Sequence, residues 1–221
     1  MELDCDLMPH RNESSFRTVF SSALLGRRCH VEWLDDRCSP LPVGQWSEAA
    51  DDADRAVLDH CVGPTLDLGC GPGRMAEYLA SRGHRVLAVD IVPEAAAQAA
   101  QRGLRTWVGD VFDPLPDEGM WGTALLADGN IGIGGDPVRL LRRARDLISR
   151  DGRVVVDLAP PGAGIRTRWA RIRTAHHTSR PFRWAEVSAD AIEPVAQSAG
   201  LTWIEHLDHD GRWVAVLRGE Q

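Results

Sequence analysis

The stretch Asp67-Leu68-Gly69-Cys70-Gly71-Pro72-Gly73 decides how this chain folds. It follows an apolar, strand-like run at 65–68 and precedes a helical pattern at 74–82. In an open parallel sheet, a turn of this kind lies at the carboxyl edge, where ligands bind. Glycines allow the backbone of such a turn to approach a ligand closely. The stretch therefore predicts a ligand-binding loop in an α/β fold.

The spacing of the glycines indicates which class of ligand the loop binds. Gly69, Gly71 and Gly73 form Gly-x-Gly-x-Gly, whereas a dinucleotide fold uses Gly-x-Gly-x-x-Gly to place a pyrophosphate on the helix N-terminus. Asp67, two residues before the first glycine, would repel a pyrophosphate and attract a cationic group such as an ammonium. The loop is thus atypical of an NAD-dependent dehydrogenase.

Strand-like and helical patterns alternate on both sides of the loop. Apolar strands are predicted at 65–68, 85–89, 106–108, 123–127 and 153–158, and helices at 74–82, 93–102 and 137–148. This alternation is typical of a parallel sheet with helices on both faces. A helix at 189–199 and two strands at 202–207 and 212–218 follow. Because Asp208-His209-Asp210-Gly211 is a hairpin signal, the last strand is expected to be antiparallel.

The loop resembles the first motif of the class I S-adenosylmethionine-dependent methyltransferases. The stretches 85–90, 109–111, 125–130 and 147–153 resemble later motifs of the same family, so that the likeness covers about residues 64–160. It extends to small-molecule members of the actinobacterial, natural-product type. The resemblance implies a Rossmann-like sheet of seven strands in the order 3-2-1-4-5-7-6. It also implies S-adenosylmethionine as methyl donor and S-adenosylhomocysteine as product.

The same resemblance implies a role for each polar residue of these motifs. Asp90 ends the second strand, where the family's acid binds both ribose hydroxyls, and a carboxylate is well suited to accept two such hydrogen bonds. Asp110 matches the acid that meets the adenine amino group. The cofactor-binding residues implied are Asp67, Gly69, Cys70, Gly71, Gly73, Asp90, Ile91, Asp110, Val111 and Asp128.

Residues 1–63 are expected to cover the acceptor site of a methyltransferase domain formed by 64–221, the two parts making a single structural unit. The patterns predict a helix at 14–25 and a hairpin of strands 30–34 and 39–43 around Asp35-Asp36-Arg37. A second helix is predicted at 47–61 with Ser47 as its N-cap. N-terminal segments fold over the acceptor pocket in small-molecule members of the family.

The glycine-rich stretch 128–136 follows the predicted fourth strand. Amino N-methyltransferases often carry Asn/Asp-Pro-Pro-Tyr/Phe here, and the departure from that pattern disfavours nucleic-acid bases as acceptors. We expect Gly129 and Asn130 to face the acceptor, the alternative being that Asn130 satisfies turn amides. Eight tryptophans against one tyrosine favour an aromatic pocket wall, with Trp33 and Trp46 as wall residues. A heteroaromatic, indole-like acceptor fits this hypothesis.

Three side chains are candidate general bases for an acceptor that must lose a proton. His176 and His177 carry imidazoles, which titrate near neutrality, and Glu32 lies in the predicted hairpin. The surrounding segment 160–185 contains no acid, and its six arginines indicate either an anionic acceptor or a solvated basic face. These arginines are Arg166, Arg168, Arg171, Arg173, Arg180 and Arg183.

Composition limits the partners and the compartment. A net charge of −7 disfavours a general affinity for nucleic acid. The scattered cysteines, without a Cys-x-x-Cys pair, favour reduced thiols over a disulfide framework or a metal site. Met1–Asp6 is acidic, and no apolar run approaches the ~20 residues of a membrane span. We expect a cytoplasmic monomer or homodimer. The cysteines are Cys5, Cys29, Cys38, Cys61 and Cys70.

The resulting hypothesis is a methyltransferase for a small-molecule acceptor. A protein or RNA methyltransferase is a second reading, disfavoured by the compact size and the acidic charge. A non-catalytic module that binds S-adenosylmethionine is a third, disfavoured by the intact Asp67, Asp90 and Asp110. The sequence leaves open whether carbon, nitrogen or oxygen is methylated.

Overall fold

The computed structural model describes residues 13–35, 37–209 and 211–219. Cys5, the run Met1–Asp6 and the turn residues Asp36 and Asp210 lie outside these ranges. In chain order the strands are β1 (Glu13–Ser14), β2 (Cys29–Trp33), β3 (Cys38–Pro40), β4 (Thr65–Leu68), β5 (Val86–Asp90), β6 (Arg105–Val108), β7 (Trp121–Leu126), β8 (Ile148–Leu158), β9 (Ile165–Thr174), β10 (Thr178–Ser179), β11 (Phe182–Val187), β12 (Leu201–His209) and β13 (Arg212–Gly219). The helices are α1 (Phe16–Leu24), α2 (Val43–Trp46), α3 (Asp52–Leu58), α4 (Arg74–Ser81), α5 (Pro93–Gln101), α6 (Pro137–Leu147) and α7 (Ile192–Ser198).

Seven strands form the larger sheet in the order β12-β13-β8-β7-β4-β5-β6. The five strands from β6 to β8 are parallel, and β13 runs antiparallel to both β8 and β12. Numbered within this sheet, the order is 3-2-1-4-5-7-6. The predicted α/β fold with an antiparallel last strand is therefore confirmed.

The strands of this sheet are buried because helices cover both faces. On one face, Leu66 and Leu68 of β4 join a core with Leu140 of α6 and Val195 of α7. On the other face, residues of α3 and α4 pack against alternate strand positions such as Ala88. Side chains along a strand alternate between faces, so the side chain of Asp67 lies on the opposite face of the sheet from those of Leu66 and Leu68.

Local signals fix the ends of the helices. Pro93 and Pro137 occupy first turns of α5 and α6, where the missing amide hydrogen costs nothing. The side chain of Asp136 caps α6 by accepting a hydrogen bond from the backbone amide of Arg139 at 3.0 Å. Within the described ranges, no helix is long and apolar enough to cross a membrane.

A second sheet joins the N-terminal segment to the basic segment 160–185. Its order is β1-β10-β9-β2-β3, with β11 also paired to β9. The predicted hairpin is present, with Val31 opposite Ser39, and β2 pairs with β9 on its other side. The sequence patterns predict no strand in the segment 160–185, yet it forms β9, β10 and most of β11.

The prediction of a strand at 39–43 followed by a helix at 47–61 was wrong in its details. The strand ends at Pro40, and Val43 already begins the short helix α2. Ser47 lies at the C-terminal end of that helix, where its hydroxyl donates to the carbonyl of Val43 at 3.2 Å. The N-cap of α3 is Asp51, because a reciprocal capping box with Asp54 satisfies two backbone amides there.

Candidate active site

A cavity of about 650 Å³ lies at the carboxyl ends of β4, β5 and β7. This volume is in the range of cofactor and ligand pockets. Its lining includes nine of the ten residues predicted to bind the cofactor, Gly73 being the exception at the N-terminus of α4. The nine are Asp67, Gly69, Cys70, Gly71, Asp90, Ile91, Asp110, Val111 and Asp128.

Asp67 has a buried carboxyl group, one oxygen of which makes no hydrogen bond in the described structure. It is 1% exposed, and its Oδ2 has no hydrogen-bond partner in the described part of the chain. Burial, reinforced by the charges of Asp128 and Asp90, raises the pKa of Asp67 to about 8. A buried acid of this kind has lost its water and favours a cation that restores the missing interaction.

Asp90 is held by backbone amides from both sides. Its Oδ2 accepts from the amide of Gly71 at 2.9 Å, and its Oδ1 accepts from the amide of Val92 at 2.8 Å. Burial raises the pKa of Asp90, and these amide hydrogen bonds partly offset that effect. The fixed carboxylate keeps lone pairs that can accept hydroxyl groups from a ligand.

Asp110 lies at the next strand end along the sheet edge. Its Oδ1 accepts from the amide of Phe112 at 3.0 Å, which orients the carboxylate at the turn after β6. Val111 between them is buried. The turn thus offers one carboxylate and one apolar contact to the same end of the cavity.

Asn130 fastens the glycine loop instead of projecting freely. Its Nδ2 donates to the carbonyls of Leu68 at 3.0 Å and Gly69 at 2.9 Å. Gly69 has a φ of 79°, and a Cβ added there would lie 2.8 Å from that same nitrogen. Asn130 lines the cavity, whereas Gly129 does not, and the hydrogen bonds of Asn130 run to carbonyls rather than to turn amides.

Asp128 is fixed by an ionic network that sequence reasoning missed. With a φ of 53° it adopts a left-handed backbone, which costs a non-glycine residue about 1 kcal/mol. Arg74 donates to both of its carboxylate oxygens at 2.7 Å. The backbone amide of Asp128 donates to Asp157 at 2.6 Å, and Asp157 also accepts a hydrogen bond from Arg212. Both arginines also pair with buried Asp54 of α3, so four elements meet at this point.

An aromatic wall closes the other side of the cavity. Phe16 and Phe20 of α1 stack with ring centroids 5.3 Å apart, and Phe20 stacks on Trp46 at 5.9 Å. Phe182 of β11 meets Phe16 edge-on at 4.9 Å and Trp184 at 6.4 Å. All five rings line the cavity together with Asn130. Of the two tryptophans predicted as wall residues, Trp46 lies there.

The glycine-rich segment after β7 lets this wall approach the cofactor loop. It forms a 3-10 helical stretch, Asn130–Gly135, that packs against β11. A Cβ added at Gly132 would overlap the carbonyl of Ala185 and the indole nitrogen of Trp184. Only glycine therefore permits this contact, and the glycines allow the segment to pack closely against β11 at the floor of the cavity.

The predicted bases and one predicted wall residue lie elsewhere. Glu32 pairs with Arg173 at 2.8 Å, and Trp33 lies against the guanidinium of Arg168 at 4.9 Å. His176 and His177 occupy the turn after β9, where their amides face the Thr174 hydroxyl. None of the four lines the cavity, and β2 and β9 pair with each other in the second sheet. These placements correct the expectation that they act on the acceptor.

Comparison with known proteins agrees with this architecture. Residues 66–156 match the model of a methyltransferase domain. Over 56 residues the chain is 48% identical to trans-aconitate 2-methyltransferase of Mycobacterium tuberculosis. That match covers 24% of this chain and 22% of the relative, so it spans about a fifth of the relative's length.

Two solved structures share the fold over almost the whole chain. An S-adenosylmethionine-dependent methyltransferase of Bacteroides fragilis, in complex with S-adenosyl-L-homocysteine, has a TM-score of 0.79 at 20% identity and covers 93% of this chain and 94% of its own. The 1,6-didemethyltoxoflavin-N1-methyltransferase of Burkholderia thailandensis has a TM-score of 0.60 at 22% identity, with 97% and 93% covered. The chain thus has the fold of the class I methyltransferases, and its residues 66–156 match a methyltransferase domain.

Proposed function

We propose that this chain, a methyltransferase domain by sequence and fold, transfers the methyl group of S-adenosylmethionine to a planar, largely apolar small molecule. A heteroaromatic, indole-like natural product is the acceptor that fits best. The observation that carries the proposal is that a single cavity joins the predicted cofactor residues to the five rings of the aromatic wall. A binding module without a reaction would not need an aromatic chamber that opens onto the donor site.

The residues of the cavity suit the cofactor. The unpartnered oxygen of Asp67 would accept the methionine ammonium, Asp90 the ribose hydroxyls and Asp110 the adenine amino group. Val111 and Ile91 add apolar contacts for the adenine ring. The close approach that Gly69 permits leaves the loop backbone free to lie along the ligand.

When bound, S-adenosylmethionine supplies a methyl group on a sulfonium, whose C–S bond breaks with its electron pair left on sulfur while an acceptor lone pair forms the new bond. The chain's own contribution is positioning and exclusion of water. Rings such as Phe182 and Trp184 would hold a flat acceptor by stacking. Asn130 fixes the floor between acceptor and loop.

The described lining offers few groups that could remove a proton. Its titratable residues are five aspartates, three arginines and Cys70, whose thiol has a pKa raised by burial. Among the described lining residues there is no histidine, glutamate, lysine or tyrosine. The proposal therefore favours a heteroaromatic acceptor whose reacting atom presents a lone pair at neutral pH, such as a pyridine-type ring nitrogen or an ionised oxygen on the ring.

Two measurements test the proposal in sequence. Calorimetric titration should show S-adenosylmethionine binding that Asp90→Asn weakens by at least about tenfold, since one charged acceptor is lost. Mass spectrometry of the wild-type protein with indoles and related heteroaromatic compounds should then show products heavier by one methyl group. Absence of cofactor binding would overturn the proposal. Binding without transfer to any of these acceptors would favour the non-catalytic module, and transfer to peptide or RNA would favour the second reading.

A further inference from the structure

The six arginines of segment 160–185 differ in whether they line the cavity or pair with acids of the second sheet. Arg183 is the member of this set that lines the cavity. Three others are engaged away from the cavity by acids of the second sheet: Arg168 with Glu186, Arg171 with Glu13, and Arg173 with Glu32. Three of the six are thus paired, Arg166 and Arg180 are exposed and do not line the cavity, and Arg183 is the member that does.

A second arginine lines the same cavity from another element. Arg139, in the first turn of α6, places its guanidinium carbon 4.0 Å from the ring centroid of Phe112. The Gly134–Gly135 turn links the two sites, since Gly134 adjoins Phe112 and Gly135 adjoins Arg183. Arg183 itself and the Phe112 ring under Arg139 therefore contact one glycine turn, at adjacent residues.

The charged residues of the cavity differ in whether they are paired. Arg183 lies in β11 between Phe182 and Trp184 of the aromatic wall, whereas Arg139 lies over Phe112 at the turn after β6. In the described part of the chain, neither arginine has a carboxylate within ion-pair distance. Arg74, by contrast, is neutralised by Asp54 and Asp128. Two arginines that line one cavity and have no carboxylate partner in the described structure are suited to bind an anion.

We propose that Arg139 and Arg183 form a specificity site for a carboxylate on the methyl acceptor, so that the substrate class is an aromatic carboxylic acid. The inference rests on the proposed function, since it assigns the aromatic chamber to the acceptor. The rings bind the flat body, and the arginines bind the carboxylate by charge-assisted hydrogen bonds. A guanidinium is planar and donates two parallel hydrogen bonds, which matches a carboxylate better than a neutral amide.

Calorimetry with a matched pair of probes tests the inference. Indole-2-carboxylate and indole-2-carboxamide have the same shape and differ in charge. With S-adenosylhomocysteine present, the carboxylate should bind wild-type protein at least about tenfold more tightly than the carboxamide. Arg183→Gln and Arg139→Gln should each reduce that preference to less than about threefold. The preference should also fall as salt is raised, because the two arginines are exposed to solvent.

Arg180→Gln is the matched control, since Arg180 is an exposed arginine of the same segment that does not line the cavity. It should leave the preference unchanged. Equal binding of the two probes to wild-type protein, or no binding of the carboxylate, overturns the inference. The inference is also overturned if an arginine variant weakens only the binding of S-adenosylhomocysteine, because that result would assign the arginine to the carboxylate of the cofactor. Failure of S-adenosylhomocysteine to bind at all would instead refute the proposed function.

Discussion

Asp67→Asn removes a buried titratable group from the cavity, and its effect on stability follows from the structure. The pKa of Asp67 is raised from 3.8 to about 8 in the folded protein. Between these two values the folded protein holds a proton that the unfolded chain has released. The free energy of unfolding of the ligand-free protein therefore decreases as pH rises through this range, and it levels off above about pH 8.

The magnitude follows from the difference in proton binding. Each pH unit in this window changes the free energy of unfolding by about 1.4 kcal/mol for one proton. Between pH 5.5 and 7.5, wild-type protein should lose about 2.5 kcal/mol through this residue, since protonation in the folded state is still nearly complete. Asparagine carries no titrating proton, so the variant should lack this component of the pH dependence.

Urea unfolding of the ligand-free proteins at pH 5.5 and 7.5 measures the difference. The matched control is Asp113→Asn, an exposed aspartate in the same cavity, whose pH dependence should follow that of wild type. Asp67→Asn should also lose most cofactor affinity, because the ammonium partner is gone. If wild type and Asp67→Asn show the same change in unfolding free energy between the two pH values, the assignment of a buried, protonated Asp67 is refuted.

Three further substitutions separate the parts of the site. Gly132→Ala should weaken acceptor binding and destabilise the fold by about 1–3 kcal/mol, because the added methyl group displaces Trp184. Thermal melts should then show a lower Tm, and cofactor titration should show an almost unchanged Kd. Phe182→Ala should raise the KM for an aromatic acceptor about tenfold at constant cofactor Kd, and a parallel loss of both would contradict the division of the cavity. Arg212→Gln should destabilise the protein by about 3 kcal/mol in urea, since it leaves the buried carboxylate of Asp157 without its partner, whereas the exposed Arg218→Gln should not.

The seven-stranded sheet and the aspartates at its carboxyl edge could be predicted from the sequence because their determinants are local. Strands such as β4, β5 and β7 are short apolar runs, and Asp67, Asp90 and Asp110 lie at or just after the ends of their strands. Asp67, Asp90 and Asp110 therefore fall at one sheet edge as soon as the strands are parallel. The resemblance supplied the strand order, which no local pattern contains.

The acceptor side could not be predicted because its residues come together through long-range pairing. Phe16 and Trp46 precede the domain motifs, whereas Phe182 and Trp184 follow them, and β9 pairs with β2 across more than 130 residues of chain. The alternation of arginines in β9 is a strand signal in retrospect, yet a solvated loop has the same composition. The tryptophan count indicated an aromatic wall, but it did not say which rings form it.

Because different structural elements carry the two sides of the cavity, the residues of one side can be substituted separately from those of the other. The aromatic wall belongs to the second sheet, α1 and α2, so its side chains can change without moving the strand ends that carry the predicted cofactor residues. The N-terminal segment also reaches the strand-end side of the cavity, because Asp54 of α3 binds both Arg74 and Arg212, and Arg74 binds Asp128. A substitution at Asp54 would leave these two arginines without that buried partner, with Asp128 as an acid that both still contact. The N-terminal segment therefore contributes to both sides of the cavity, through the rings of Phe16, Phe20 and Trp46 on one side and through the carboxylate of Asp54 on the other.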